Sequence, residues 1–419
     1  MIKVIEKHKC SGCTACASVC PKECITMLED SEGFIYPSIN TEECINCGLC
    51  EKTCPILNSK SGYEKSAVVS LDKESLTHQI VEELDNKPKS LVVYNYDTEV
   101  RENSTSGGAI SAIANYIISM GGVVVGAEFN QDYEVEHGIA TDVEEVSLFR
   151  GSKYVQSKLD GIFKKIKEYL DDDKWVLYIG TPCQVAGLKA FLHGKEYEKL
   201  VAVDVFCHGV GSPLYWKEYI RFIKNKTKKQ IQAIKFREKT YGYNSACLAI
   251  YFSDGSYIKK GHDEDYYWAA FSKCMIFRPS CYECAFKAIK HSYSDFSVGD
   301  YWRADSLPNS FKNANGNSLV IIQSEKGTKI LNEINHELEI CEVDLEKALL
   351  VNGGWQVSKL ISSSYMPKER NEVFKSLEKY GFEKTAKRFT SISILVRLKG
   401  IIKPILYKTK LLEIVKNIG

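Results

Sequence analysis
The chain has 419 residues, 44% hydrophobic and 26% charged, which is too long for one small module and enough for a small domain plus a larger one. A formal net charge of +1 gives no global attraction to polyanions, so no nucleic-acid partner is expected. The first residues alternate charged and apolar groups, and no stretch approaches the roughly 20 apolar residues of a membrane span. A cytoplasmic protein whose cysteines bind metal rather than form disulfides is therefore expected.

Nine of the sixteen cysteines lie between Cys10 and Cys54. The first run is Cys10-x2-Cys13-x2-Cys16-x3-Cys20-Pro21 and the second is Cys44-x2-Cys47-x2-Cys50-x3-Cys54-Pro55. This is the spacing of bacterial ferredoxins with two [4Fe–4S] clusters, in which the fourth cysteine of each run ligates the other cluster. Cys10, Cys13, Cys16 and Cys54 are thus assigned to one cluster, and Cys44, Cys47, Cys50 and Cys20 to the second. Zinc sites instead pair ligands across a longer gap. Cys24 falls outside the pattern and reads as a buried structural thiol.

A polar connector with a short helix follows over Ser59–Lys89. Leu91–Tyr96 predicts a strand, Gly107–Met120 a helix and Val123–Ala127 a buried strand. The alternation continues with a helix over Ile162–Leu170, a strand over Trp175–Ile179, a helix over Val185–Leu192 and a strand over Leu200–Phe206. Strands alternating with helices predict a mixed α/β domain. Beyond Ile231 the elements read as hairpins, as in Cys247–Phe252 and Tyr257–Lys260.

Four features of this region could carry chemistry. Ser104-Thr105-Ser106-Gly107-Gly108 opens a helix after a strand, which suits a phosphate or pyrophosphate but also a plain N-cap. Cys183, in Gly180-Thr181-Pro182-Cys183-Gln184, and Cys207, in Cys207-His208-Gly209, both follow strands, where α/β sheets place ligands. With Cys281-x2-Cys284 they make four thiolates, enough for a third cubane. Buried cysteines and a zinc or redox CxxC pair stay open on spacing alone, with Cys274 as an alternative ligand. Lys235–Tyr243, dense in charge and aromatics, reads as an anion-binding segment or an exposed basic edge. Cys247 and Cys341 read as core.

In its order of motifs the chain resembles the coenzyme F-420 hydrogenase/dehydrogenase beta-subunit family, in the version with an N-terminal two-cluster ferredoxin domain. The likeness rests on Ser106-Gly107-Gly108, Gly151-Ser152-Lys153-Tyr154, Gly180–Gln184, Phe206–Gly209, Cys281-x2-Cys284 and Asp295–Asp300. It implies a flavoprotein that binds FAD and one [4Fe–4S] cluster in the α/β domain. It further implies that Cys183, Cys207, Cys281 and Cys284 hold that cluster. Flavin contacts are implied at Thr105, Ser106, Gly107, Gly108, Gly151, Lys153, Tyr154 and Gln156. Electrons would move between a deazaflavin or another organic substrate and an iron–sulfur partner. Similar proteins occur in polysaccharide assembly, which leaves the electron acceptor open; the alternative is a non-catalytic electron-transfer subunit of a larger complex, associated with membrane polysaccharide assembly.

The last segment, Lys384–Gly419, holds nine Lys/Arg against the single acid Glu413. Within it, Phe389–Ile418 reads as a basic amphipathic helix, kinked at Pro404, that packs on the body or makes peripheral membrane contact. The expected layout is a dicluster ferredoxin-like domain (1–60), a linker (61–89), a mixed α/β flavin and [4Fe–4S] domain (90–366) and a basic helical tail (367–419).

Overall fold
The computed structural model describes residues 6–58, 73–82, 84, 87–286, 293–302, 304–312, 315–354 and 366–409. Most of the connector and the last residues of the basic tail lie outside these.

The N-terminal module is built around a hairpin of β1 (Ile25–Glu29) and β2 (Ile35–Ile39), with short helices at Ala15–Ser18 and Leu49–Lys52. Each helix sits inside one cysteine run. The main domain holds eight strands: β3 (Lys89–Asn95), β4 (Val123–Phe129), β5 (Val135–Ala140), β6 (Val176–Gly180), β7 (Leu200–Val205), β11 (Phe296–Tyr301), β12 (Asn317–Ile322) and β13 (Leu338–Glu342). They form one sheet in the order β13-β3-β12-β11-β7-β6-β4-β5. The central strands β11, β7, β6 and β4 run parallel, and the edges are antiparallel.

Central parallel strands are covered on both faces, which explains their nearly continuous apolar runs. Val124, Leu177, Val201 and Val203 face the core under helices Ala109–Ser119 and Glu325–Ile334. Val123, Val125, Val176, Tyr178, Leu200 and Ala202 face the core under helices Ile162–Asp171 and Pro182–Phe191. Ala15 of the cysteine module is fully buried in that second core, so the module is docked on the domain rather than tethered to it.

A separate antiparallel meander, β8 (Ile231–Glu238), β9 (Cys247–Phe252) and β10 (Tyr257–Lys260), packs with helices Pro213–Thr227, Tyr266–Ser272 and Arg370–Thr390. The last of these, placed at sequence level in the tail, buries Val373, Phe374, Leu377, Phe382 and Ala386 and belongs to the body. It bends at Gly381, whose φ is +75°. The tail helix proper is Ile394–Lys408, and it runs through Pro404 as one helix.

Helix Pro182–Phe191 begins three residues before the expected start at Val185. Thr181 caps it, Pro182 occupies its first position, and the Gln184 side chain accepts from the Thr181 N–H at 2.9 Å. Cys183 is thereby lifted off the strand end into a helix first turn.

Candidate metal centres and the loops around them
Two cavities lie in the N-terminal module. One, about 500 Å³, is lined by Cys10, Cys13, Cys16 and Cys54. The other, about 380 Å³, is lined by Cys20, Cys44, Cys47 and Cys50. The fourth cysteine of each run faces the other run's loop, in the crossed arrangement that the spacing implies. Among the described residues no three His, Cys, Asp or Glu side chains converge as ligands of a single ion do. A cubane spreads its thiolates around a larger body, and walls carrying four separated sulfurs match that need.

Polar groups support the same fit. The hydroxyls of Ser11 and Thr14, which line the first cavity, are buried without a hydrogen-bonding partner among the described residues. They are donors suited to cluster sulfurs. Burial pushes the Cys13 and Cys16 thiols up to about 12, so thiolates there require the positive charge of iron.

Cys24, expected to be a structural thiol, is buried, but it also lines the second cavity, with its Sγ 3.4 Å from that of Cys20. That position would let it replace Cys20 as a ligand. Cys20→Ser alone is expected to retain iron through Cys24, whereas Cys20→Ser with Cys24→Ser loses about four irons per chain, the content of one cubane. Iron analysis of the two anaerobically purified variants checks this; equal loss in both would refute the rescue.

At the C-terminal edge of the central sheet, Gly180 of β6 is in register with Asp204 of β7. Cys183 and Cys207 each lie three residues beyond that pair. Val210 accepts from the Arg278 N–H at 3.0 Å, and the Arg278 carbonyl accepts from Cys281 N–H at 2.9 Å, so one backbone chain of bonds ties the Cys207 loop to the Cys281–Cys284 turn. Burial raises the Cys183 thiol well above its usual range, and the thiols of Cys284, Cys281 and Cys13 act on it in the same direction. Cys247 is buried in the body, Cys341 lies on β13, and the Cys274 Sγ is 3.4 Å from His208 Nε2.

The same helix carries a second contact. A Cβ on Gly187 would lie 2.7 Å from Cys13 Cβ and 3.0 Å from its Sγ. Cys183 and this contact with Cys13 are therefore four residues, about one turn, apart on one helix.

Arg278, 1% exposed, completes the junction. Its Nε donates to the Cys10 carbonyl (2.7 Å), its Nη2 to the Ile35 carbonyl (2.8 Å) and its Nη1 to Gln156 Oε1 (2.7 Å). The guanidinium lies 4.2 Å from the Tyr36 ring centroid. Gln156, a flavin contact by resemblance, donates in turn to the Ser11 carbonyl at 3.2 Å, so its amide is engaged at the cysteine module. Sequence reasoning passed over Arg278 and Gly187, whose roles exist only in the docked fold.

The other resemblance-implied residues form two joined loops. Thr105 Oγ1 lies 3.0 Å from Ser152 Oγ and accepts from the Ser152 N–H at 2.8 Å, linking the Thr105–Gly108 turn to Gly151–Tyr154. Ser106 Oγ and the Gly107 N–H meet Ser318 Oγ at 2.8 and 2.9 Å, and Gly108 caps helix Ala109–Ser119. Lys153 Nζ donates to the carbonyls of Leu148 and Arg150, and burial pushes it down to about 7. Tyr154 stacks on Phe271 at 4.7 Å between centroids.

The Lys235–Tyr243 segment is split. Lys235 is half-exposed and donates to Asn103, whereas Arg237 and Lys239 turn inward. Lys239 Nζ donates to the carbonyls of Arg101 (2.7 Å), Ser106 (2.7 Å) and Asn315 (2.6 Å), pinning the Thr105 loop from behind. Arg237 lies 3.9 Å from Asp300 and 4.7 Å from the Trp302 ring centroid. Among the described residues, Arg237 Nε and Nη2 and Trp302 Nε1 are buried without hydrogen-bonding partners. Buried donors left this way are ones that a bound ligand or an ordered water would satisfy.

The matches to known families coincide with these parts. Residues 91–164 match the N-terminal part, and residues 173–348 the C-terminal part, of the coenzyme F420 hydrogenase/dehydrogenase beta subunit. Residues 9–57 match a 4Fe-4S dicluster domain. The chain belongs to the coenzyme F420 hydrogenase/dehydrogenase beta-subunit family. An F(420)H(2) dehydrogenase subunit of Methanosarcina mazei is 20% identical over 350 residues, covering 81% of this chain and 86% of that protein. An uncharacterized ferredoxin of Methanocaldococcus jannaschii is 36% identical over 52 residues, covering 12% of this chain and 66% of its own length. A chain of the F420-reducing [NiFe] hydrogenase complex from Methanosarcina barkeri aligns at 16% identity and a TM-score of 0.45, over 73% of this chain and 92% of that chain. This beta-subunit family member is thus an iron–sulfur electron-transfer subunit of the F420 hydrogenase/dehydrogenase type. None of its described helices is long and apolar enough to cross a membrane.

Proposed function
We propose that this protein is a flavin-dependent iron–sulfur oxidoreductase, exchanging electrons between a deazaflavin or another organic hydride carrier and an electron-transfer protein partner. The carrying observation is the pair of tied loops, Thr105–Gly108 and Gly151–Tyr154, set beside the unpartnered donors of Arg237 and Trp302. These donors suit the acceptor groups of FAD. When bound, the flavin would supply the conversion between two-electron and one-electron chemistry. On this reading Cys183, Cys207, Cys281 and Cys284 hold one [4Fe–4S] cluster, next to the pair held by Cys10, Cys13, Cys16, Cys54 and by Cys44, Cys47, Cys50, Cys20. Lys239 holds the Thr105 loop in place, and Arg237 offers charge to the ligand.

Anaerobic purification is expected to give a yellow protein with stoichiometric flavin and about twelve irons, four per cubane. Iron near eight without flavin would leave only an electron-transfer adaptor. Lys239→Met strips three backbone carbonyls of their donor, each costing about 1–3 kcal/mol where buried. Flavin occupancy should fall at least severalfold in that variant while iron stays unchanged, as read by absorbance and iron analysis. Full flavin retention would argue against a cofactor at this loop.

A further inference from the structure
A surface helix ordinarily turns its apolar stripe toward the core. The tail helix Ile394–Lys408 does the opposite. Ile394, Leu395, Leu398, Ile401, Ile402 and Ile405 are between 48% and 75% exposed, and their spacing puts them on one face. Single exposed leucines are ordinary, but a continuous stripe of this kind marks an interaction surface.

The body-facing side is held by other residues. Lys403 donates to the Ser245 carbonyl at 3.4 Å and lies 4.8 Å from the Tyr241 ring centroid. Leu406 packs on Tyr241 and Cys247, and Gly400 passes close to Glu264. The stripe therefore remains outward while the helix is docked.

Charge selects the occupant. The helix contains Arg397, Lys399, Lys403 and Lys408 and no acidic residue. Lys403 is held by the body; pairing with a second copy would set the other three cations against their equivalents, whereas an anionic lipid surface neutralises them and accepts the stripe at its acyl boundary. Fifteen residues span about 22 Å as a helix, short of a bilayer crossing, so an in-plane orientation follows. We propose that Ile394–Lys408 lies on the surface of an anionic lipid bilayer, with its isoleucine–leucine stripe inserted. The bilayer then faces the side of the molecule carrying the Lys239–Tyr243 turn. This surface is independent of the redox reading.

The test uses the full chain with sucrose-loaded vesicles of phosphatidylcholine alone or mixed with phosphatidylglycerol. The expected result is partitioning about tenfold or more stronger on the mixed vesicles, weakened by high salt. Ile401→Glu with Ile405→Glu should abolish binding, with iron content matching the parent as the control for folding. Arg397→Gln with Lys399→Gln should keep the stripe and lose the preference for anionic lipid. Absent binding, equal binding to both vesicle types, or binding kept by the glutamate variant would overturn the proposal. A dimer that the glutamate variant converts to monomer, without vesicle binding, would assign the stripe to self-association instead.

Discussion

Arg278→Met is expected to loosen the cysteine module from the α/β domain and to lower the midpoint potential of the cluster at Cys10. Methionine keeps the apolar stem of arginine but supplies none of its donors. The carbonyls of Cys10 and Ile35 and the Gln156 amide oxygen lose their partners in a buried setting, at about 1–3 kcal/mol each. A cation this close to the first cavity also favours the reduced, more negative cluster, so its removal shifts the potential downward. Two readouts separate these effects. Hydrogen exchange should rise across the Cys10–Cys16 loop and β2, and an EPR-monitored redox titration should show one of the clusters shifted. Arg278→Lys keeps the charge and loses the fork that reaches three acceptors, so it should restore potential more than docking. Unchanged exchange and unchanged potentials would show that Arg278 does neither.

On the proposed three-cluster reading, Gly187→Leu is expected to slow electron transfer between the Cys183 cluster and the N-terminal pair while leaving iron content intact. The new side chain enters space already held by Cys13, whose Cβ and Sγ are 2.7 and 3.0 Å from even a first added carbon. Overpacking of this kind costs roughly 1–3 kcal/mol and is relieved by moving the cysteine loop outward. Transfer rates fall exponentially with distance, so a shift too small to disturb folding is still visible in kinetics. Anaerobic stopped-flow reduction, following the two sets of clusters separately, gives the rate. Gly187→Ala sharpens the test. In a helix interior the exchange should stabilise by about 0.5–1 kcal/mol, so a loss of stability there reports the contact with Cys13. Unaltered rates in both variants would mean that electrons do not pass here.

The sequence carried the parts of this architecture that repeat or run on locally. The two cysteine runs state their own crossing, and the apolar runs of β4, β6 and β7 announce strands buried on both faces. The start of helix Pro182–Phe191 was also legible, since a Thr-Pro-x-Gln segment is a capping box with proline at the first position. Reading it as a strand-end turn delayed the helix by three residues. Arg278, Gly187 and the amide of Gln156 were not legible. Each acts on a partner more than a hundred residues away in the chain, and nothing in local spacing distinguishes a docking arginine from a surface one. Helix Arg370–Thr390 looked like tail because its polar face dominates the sequence, while Phe374, Leu377 and Phe382 find their core only among the aromatics of helix Pro213–Thr227 and the meander.

Helix Pro182–Phe191 places Cys183 and the seat of Cys13 four residues apart on a single rod. On the proposed reading, in which Cys183 holds a cluster, the step from it to the centre at Cys13 is set by this helix, which rises about 6 Å over those four residues, rather than by the segment joining the two domains. The later part of that connector, helix Lys73–Glu82, packs on the body through Val81, so it is insertions before Lys73 that should be silent in electron transfer, whereas a one-residue change within helix Pro182–Phe191 should not.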